Sequence, residues 1–239
     1  MRPLLRSSSW WRRGVDTVII GACVDSVNPL DSNGGVNVVR TAAGDPDVGG
    51  STRDRLIAAS LVLLREGGED ALSMRALGDR SGLSRGAPYR HFEDKEALLR
   101  AIAAAGMEDL GRRADLAVRR TRGSQLAAAL RAYVTWGVEN PDWYRVTFQS
   151  RATGHREAPD DFALTDAGKA LLESFAQLVV AAQETGELPS GSPADLFGVL
   201  WSAMHGAVDL TLAGRGKAEL GTADPRRLVD TLLTLLAAR

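Results

Sequence analysis

The segment Ser73 to Leu99, SMRALGDRSGLSRGAPYRHFEDKEALL, constrains the fold more than any other part of the chain, because capping residues and a glycine divide it into two short helices. Ser73 offers a hydroxyl to an orphan backbone N–H, and Leu72 and Leu77 flank it at the spacing of a hydrophobic staple, so a helix starts there. It stops at Gly82, the residue type best able to adopt the left-handed backbone that ends a helix. Leu83 then turns inward and Ser84 can cap a second helix, with Pro88 in its first turn, where a missing N–H costs little. Such a pair of helices around a glycine turn is a helix-turn-helix, whose second helix enters the major groove of DNA.

The polar side chains on this unit suit that task. Arg85 and Ala87 lie at the start of the second helix, where an arginine can bond guanine bidentately and an alanine methyl can meet a thymine methyl. Tyr89, His91 and, after a new cap at Glu93-Asp94, Lys95 present a hydroxyl, an imidazole and an ammonium to the flanking phosphates. Arg75, in the first turn of the preceding helix, is a further reader of bases or backbone. The expected DNA-contacting set is Ser73, Arg75, Ser84, Arg85, Gly86, Ala87, Tyr89, Arg90, His91 and Lys95.

The block Tyr89-Arg90-His91-Phe92-Glu93-Asp94-Lys95-Glu96-Ala97-Leu98-Leu99, preceded by the two-helix unit and by a helix over Leu56 to Glu66, resembles the TetR family of bacterial one-component regulators. The resemblance is strong over residues 53–105. Two weaker echoes follow, ENPDWYRVTF at 139–148 and Trp201-Ser-Ala-Met-His205-Gly206, the latter similar to the Trp-His-Gly signature of one group of TetR ligand-binding domains. The resemblance implies a homodimer whose amino-terminal heads bind a palindromic operator in double-stranded DNA while a carboxy-terminal domain binds a small-molecule effector. Pro88 departs from the family pattern, in which a large aliphatic residue is commoner there.

A chain of 239 residues with 44% hydrophobic and 25% charged residues is globular and long enough for a sizeable core. Its net charge of −1 argues against a protein whose whole surface binds nucleic acid. A local patch remains, with basic residues at 75, 80, 85, 90, 95 and 100 against acids at 79, 93, 94 and 96. That excess is modest, so affinity should lean on dimerisation and groove contacts as well as on counterion release. Cys23 is the single cysteine, which excludes an intrachain disulfide and a cysteine-rich metal site and fits a reducing cytoplasm. No apolar run approaches a membrane span. No nucleophile with its base, carboxylate pair or metal cluster stands at recognisable spacing, so neither an enzyme nor a cofactor is expected. The rival reading is a helical interaction protein that turns the same head against another protein.

The expected architecture is all-α. Residues 1–50, rich in Gly, Pro, Asn and Ser, show no helical period and read as a disordered tail or a misassigned start, with Trp10, Trp11 and the arginines as an alternative functional arm. Residues 51–98 form the DNA-binding domain and 99–239 the effector-binding and dimerisation domain. Thr52 can cap the first helix, which Gly67-Gly68 closes; a linker helix runs over 94–118, weakened in its middle by Gly106 and Gly111. Helices then follow from Gly123-Ser124 to Asn140, from Pro141 to Ser150, from about Asp160 to Thr185 after a loop, from Ala194 to Ala213 and from Pro225 onward. The last two present wide apolar faces, and Phe197, Val208, Leu212, Leu228, Leu232 and Leu235 are the expected dimerisation residues, with a purely intrachain core as the alternative. Two heads must reach major grooves roughly 34 Å apart, which makes that dimer mechanistically necessary.

Most aromatic residues fall in the carboxy-terminal domain, where an apolar cavity could collect them. Trp136, Trp143, Tyr144, Phe148, Phe175, Trp201 and His205 are the expected ligand-binding residues, with core packing as the alternative for each aromatic. His205 is read either as a pocket donor or as a satisfied structural histidine. No paired spacing with His91 or His155 supports a metal. Only Arg131 is charged between Leu126 and Val138, which favours a lipophilic or aromatic effector over a highly charged one.

Overall fold

A computed structural model describes residues 51–150 and 166–237 of the chain. The reading of the first fifty residues, including Trp10, Trp11 and Cys23, lies outside the described residues, as do the loop after Ser150, His155, Phe162 and the first turn expected for the long helix after it. The described residues form α1 (Thr52–Ala71), α2 (Met74–Arg80), α3 (Ala87–His91), α4 (Lys95–Arg120), α5 (Gln125–Glu139), α6 (Pro141–Gln149), α7 (Asp166–Glu184), α8 (Pro193–Leu212) and α9 (Pro225–Ala237), with no strand among them. The fold is all-α, as the sequence implies.

Local side chains explain the helix starts. Ser73 accepts from the Ala76 N–H at 3.1 Å, Asp94 from Ala97 at 2.6 Å and Ser124 from Ala127 at 2.9 Å. Each such cap stabilises its helix by about 1 kcal/mol. The first helix begins one residue earlier than expected, since Ser51 rather than Thr52 caps it: the Asp54 N–H reaches the Ser51 hydroxyl and the Asp54 carboxylate accepts from the Ser51 N–H. Gly82 sits at φ +66°, the left-handed turn required between α2 and α3.

Two buried clusters organise these helices. The first joins Leu56, Ile57 and Leu64 of α1 with Leu72, Leu77, Phe92, Leu98, Leu99 and Ile102, and takes in Val146 from α6. The second gathers Leu110 of α4, Leu126, Leu130, Tyr133 and Trp136 of α5, Tyr144 and Phe148 of α6, Phe175 of α7, Met204 and Val208 of α8, and Val229 of α9. The long α4 contributes its first half to one cluster and its second half to the other, and Trp143 packs against both. An ion pair from Arg65 Nε on α1 to the buried Asp142 Oδ2 on α6, at 2.8 Å, spans the same junction.

The glycines in α4 do not interrupt it. At Gly106 a Cβ would stand 2.8 Å from Thr147 Oγ1 and 3.1 Å from Trp143, so this glycine is what allows α6 to cross α4 closely. Gly137 does the same for α5 and α8: a Cβ there would meet both Val208 methyls at 2.9 and 3.0 Å.

Candidate DNA-binding head and effector site

In the head, α3 starts at Ala87, later than the Ser84 cap implies. The Ala87 N–H donates to the Ser84 carbonyl at 2.8 Å, forming a separate turn ahead of the helix, and the Ser84 hydroxyl accepts from Arg90 Nη2 at 3.3 Å instead of capping. Gly78 admits this turn, because a Cβ there would stand 3.2 Å from Arg85 Cα. Sequence reasoning passed over Gly78; its one signal is a glycine inside a seven-residue helix.

Ser73, Arg75, Ser84, Arg85, Gly86, Tyr89, Arg90 and His91 are all exposed. Tyr89 is 60% exposed, unusual for an aromatic ring that could pack inward. Arg85 is held by Asp79 through an exposed ion pair of 3.4 Å, a contact weak enough to be exchanged for a base edge. Two expected contacts face elsewhere. Ala87 is only 2% exposed, because α3 buries its first turn through Ala87 and Pro88. Lys95 donates its ammonium to the Glu69 carbonyl, tying the start of α4 to the last turn of α1.

In the carboxy-terminal domain, α5, α6 and α8 converge on His205. The Tyr133 hydroxyl lies 2.9 Å from His205 Nε2 and the Tyr144 hydroxyl 2.9 Å from Nδ1. Four rings enclose the imidazole, with centroid distances of 4.4 Å to Trp201, 4.8 Å to Phe148, 5.3 Å to Tyr133 and 5.9 Å to Tyr144. Phe175 meets Tyr133 edge-on at 6.3 Å, and Phe197 stacks on Trp201 at 5.7 Å. Burial pushes both phenols above their ordinary range. For Tyr133 the neighbouring Tyr144 adds to that rise, and for Tyr144 the charge of Asp209 does. Asp209 in turn accepts from Gln149 Nε2 at 2.8 Å.

Five of the expected ligand residues, Tyr144, Phe148, Phe175, Trp201 and His205, therefore stand together. Trp136 does not: its buried indole donates to Asp109 Oδ2 on α4 at 2.9 Å, on the side of α5 that packs against the linker helix. Trp143 lies at the head junction over Gly106. Tyr133, absent from the expected ligand set, is the residue missed; its signal is a phenol within an apolar run, which must find a polar partner when buried.

Of the expected dimerisation residues, Leu235 is 68% exposed, while Leu212, Leu228, Leu232 and Phe197 are half-buried. Leu228, Leu232 and Leu235 line an apolar groove with Leu130, Met204 and Ala207. Val208 is a correction, fully buried against Gly137 within the chain. Among the described residues no group of three or more His, Cys, Asp or Glu could hold a metal ion, and no helix is long and apolar enough to cross a membrane.

A helix-turn-helix head whose second helix keeps Tyr89, Arg90 and His91 exposed, mounted on a helical domain with its own aromatic core, has the architecture of a DNA-binding regulator. Residues 56–102 match the family model for bacterial regulatory proteins of the tetR family, and residues 126–236 match that for the tetracyclin repressor-like C-terminal domain. The chain belongs to the TetR family of transcriptional regulators.

Over 50 residues the chain is 48% identical to the tetracycline repressor protein class A from transposon 1721 of Escherichia coli, an alignment covering 21% of this chain and 23% of that protein. The match thus spans about a quarter of that relative's length. Among solved structures, a protein of unknown function from Rhodococcus sp. RHA1 is 26% identical, with 81% of this chain and 97% of that chain covered and a TM-score of 0.66. A tetR-family regulatory protein from Rhodococcus RHA1 shares 22% identity over 79% of this chain and 96% of its own, with a TM-score of 0.59. The regulator FadR from Bacillus subtilis, solved with stearoyl-CoA, shares the fold at 15% identity and a TM-score of 0.63, with 77% of this chain and 97% of that chain covered.

Proposed function

We propose that the chain is a ligand-responsive repressor that binds a palindromic operator as a homodimer and is released by a small lipophilic or aromatic effector in the cytoplasm. Residues 51–98 act as the DNA-binding domain, and the remainder binds effector and pairs the subunits. The observation that carries this reading is the outward face of the head, where Arg75, Arg85, Tyr89, Arg90 and His91 are exposed together around a buried core. Arg85 exchanges Asp79 for a base edge, while Tyr89, Arg90 and His91 contact phosphates. The α8–α9 surface around Leu235 joins two subunits, with Leu228 and Leu232 behind it. Effector binding among the rings around His205 shifts α6, which packs on both clusters, and so changes the disposition of the heads.

The test is a polarisation titration against DNA flanking the protein's own gene, with scrambled competitor and two salt concentrations. Specific, salt-weakened binding at a palindrome is the expected result. Equal affinity for operator and scrambled DNA refutes the proposal.

A further inference from the structure

The start of α1 is fastened to the helix-turn-helix by two arginines that lie outside the expected DNA-contacting set. Residues two apart on a helix point to different sides, and here each side meets a different part of the helix pair. Arg53 holds its guanidinium carbon 5.7 Å from the ring centre of Phe92, the residue that ends α3. Arg55 donates from Nη2 to the carbonyl of Ser81, the residue that ends α2, at 3.5 Å. On the reading of the head as a DNA-binding unit, we propose that Arg53 and Arg55 are phosphate contacts, holding the DNA backbone at the edge of the groove that α3 enters.

Position is the first support. A helix lying in the major groove has a phosphate strand on either side, so groups beside its ends meet backbone rather than bases. Phe92 follows directly on His91, the exposed last residue of α3, and the two rings are 6.4 Å apart. Ser81 directly precedes Gly82, whose left-handed turn leads towards α3. Both arginines are exposed, and α1 brings one to each end of the segment that carries Arg85, Tyr89 and Arg90.

Charge is the second support. Several cations of the head are engaged by acids, Arg80 by Glu66, Arg85 by Asp79 and Arg100 by Glu96, and Lys95 is drawn to the Glu69 carbonyl. The groups that hold Arg53 and Arg55 are a ring face and a carbonyl, which orient a guanidinium without cancelling its charge. Asp54, between the two, is turned to the helix start, where its carboxylate accepts from the Ser51 N–H and hydroxyl. A guanidinium already held in place loses little freedom on meeting a phosphate, and it offers that phosphate two N–H donors at once. The two arginines thus supply backbone-directed charge that Lys95, tied to Glu69, does not.

The test titrates the full chain against a fluorescent random-sequence duplex of about 30 base pairs, and against DNA flanking its own gene, from about 50 to about 200 mM salt. Random sequence suffices because phosphate contacts carry no sequence information. Arg53→Gln and Arg55→Gln should each weaken binding to both duplexes about fivefold and lower the slope of log affinity against log salt by about 0.9 for each subunit bound. Arg53→Lys and Arg55→Lys keep the charge and should keep most of the slope. Arg120→Gln removes the same charge in the last turn of α4, roughly 35–40 Å along that helix from Lys95, and should leave the slope unchanged. A role confined to holding Phe92 or Ser81 predicts a lower urea midpoint with an unchanged slope, and that result overturns the proposal for the arginine concerned. A slope change no larger than that of Arg120→Gln overturns it too, as does a lysine variant that loses as much slope as the glutamine one. Wild-type protein that binds neither duplex refutes the proposal together with the regulator reading, whereas salt-weakened wild-type binding with unaltered slopes in the variants refutes the proposal alone.

Discussion

Replacing Gly137 by alanine sets two effects of known size against each other. Alanine in a helix interior is favoured over glycine by about 1 kcal/mol. The added methyl would stand 2.9 and 3.0 Å from the two Val208 methyls and 3.1 Å from Tyr144 Cδ2, where carbon atoms prefer roughly 3.5–4.0 Å. Neither neighbour yields easily. Val208 is β-branched, stiff in its helix and fully buried, and Tyr144 is anchored through its hydroxyl to His205. Crowding of this kind costs about 1–3 kcal/mol, so a net loss of about 1 kcal/mol is expected.

Gly111→Ala is the control, since its methyl would meet nothing nearer than Leu171 Cδ1 at 3.8 Å, an ordinary contact. It should gain nearly the full helix preference of about 1 kcal/mol. Both variants share that preference, so the difference between them isolates the crowding at about 1–3 kcal/mol. Urea unfolding at one protein concentration, followed by circular dichroism, reads this as a shift of midpoint at constant slope. Equal midpoints for the two variants, or a more stable Gly137→Ala, would refute the reasoning.

Other perturbations probe the head, the phenols and the outer face. Arg85→Ala should cost about 1–3 kcal/mol on the operator and little on random DNA, whereas Tyr89→Ala should weaken both alike; equal losses for Arg85→Ala would remove it from base reading. Lys95→Ala should lower the unfolding midpoint and leave the salt dependence of DNA binding nearly unchanged, because its ammonium bonds the Glu69 carbonyl; a reduced salt slope would contradict this. Stability should fall as pH rises above 10, since the unfolded chain releases the Tyr133 and Tyr144 protons there while the fold retains them, and Tyr144→Phe should flatten that fall; a flat wild-type profile would refute it. Leu235→Asp should leave the helical content intact and weaken self-association by about 2 kcal/mol in sedimentation or gel filtration; an unchanged dimer would exclude this face.

The head was legible because its signals are local. Ser73, Gly82, Pro88 and Asp94 each act within one turn of themselves, and the structure places caps and turns at or beside them. What the sequence misjudged depends on which neighbour sits across a gap. Ala87 and Val208 carry no mark of the side they face, and Trp136 was drawn into the ligand set by its chemistry although Asp109, 27 positions earlier, takes its indole proton. Gly106 and Gly111 look alike in a linear chain. Only the crossing of α6 distinguishes the one that must stay small. The aromatic cluster was half legible, since the residue types were right and the phenol of Tyr133, hidden in an apolar run, was not recognised.

Val146 sits on a helix of the larger domain yet is buried among the side chains of the head, and α4 threads through both clusters. The boundary between reading DNA and sensing an effector is therefore not a boundary in folding. A fragment ending near residue 98 would expose the apolar surface that Ile102 and Val146 now cover, and should be partly molten and poor at binding DNA. In the whole chain, heat or denaturant should melt both clusters in one cooperative step, so an effector that steadies the aromatic core also raises the melting temperature of a head it never touches.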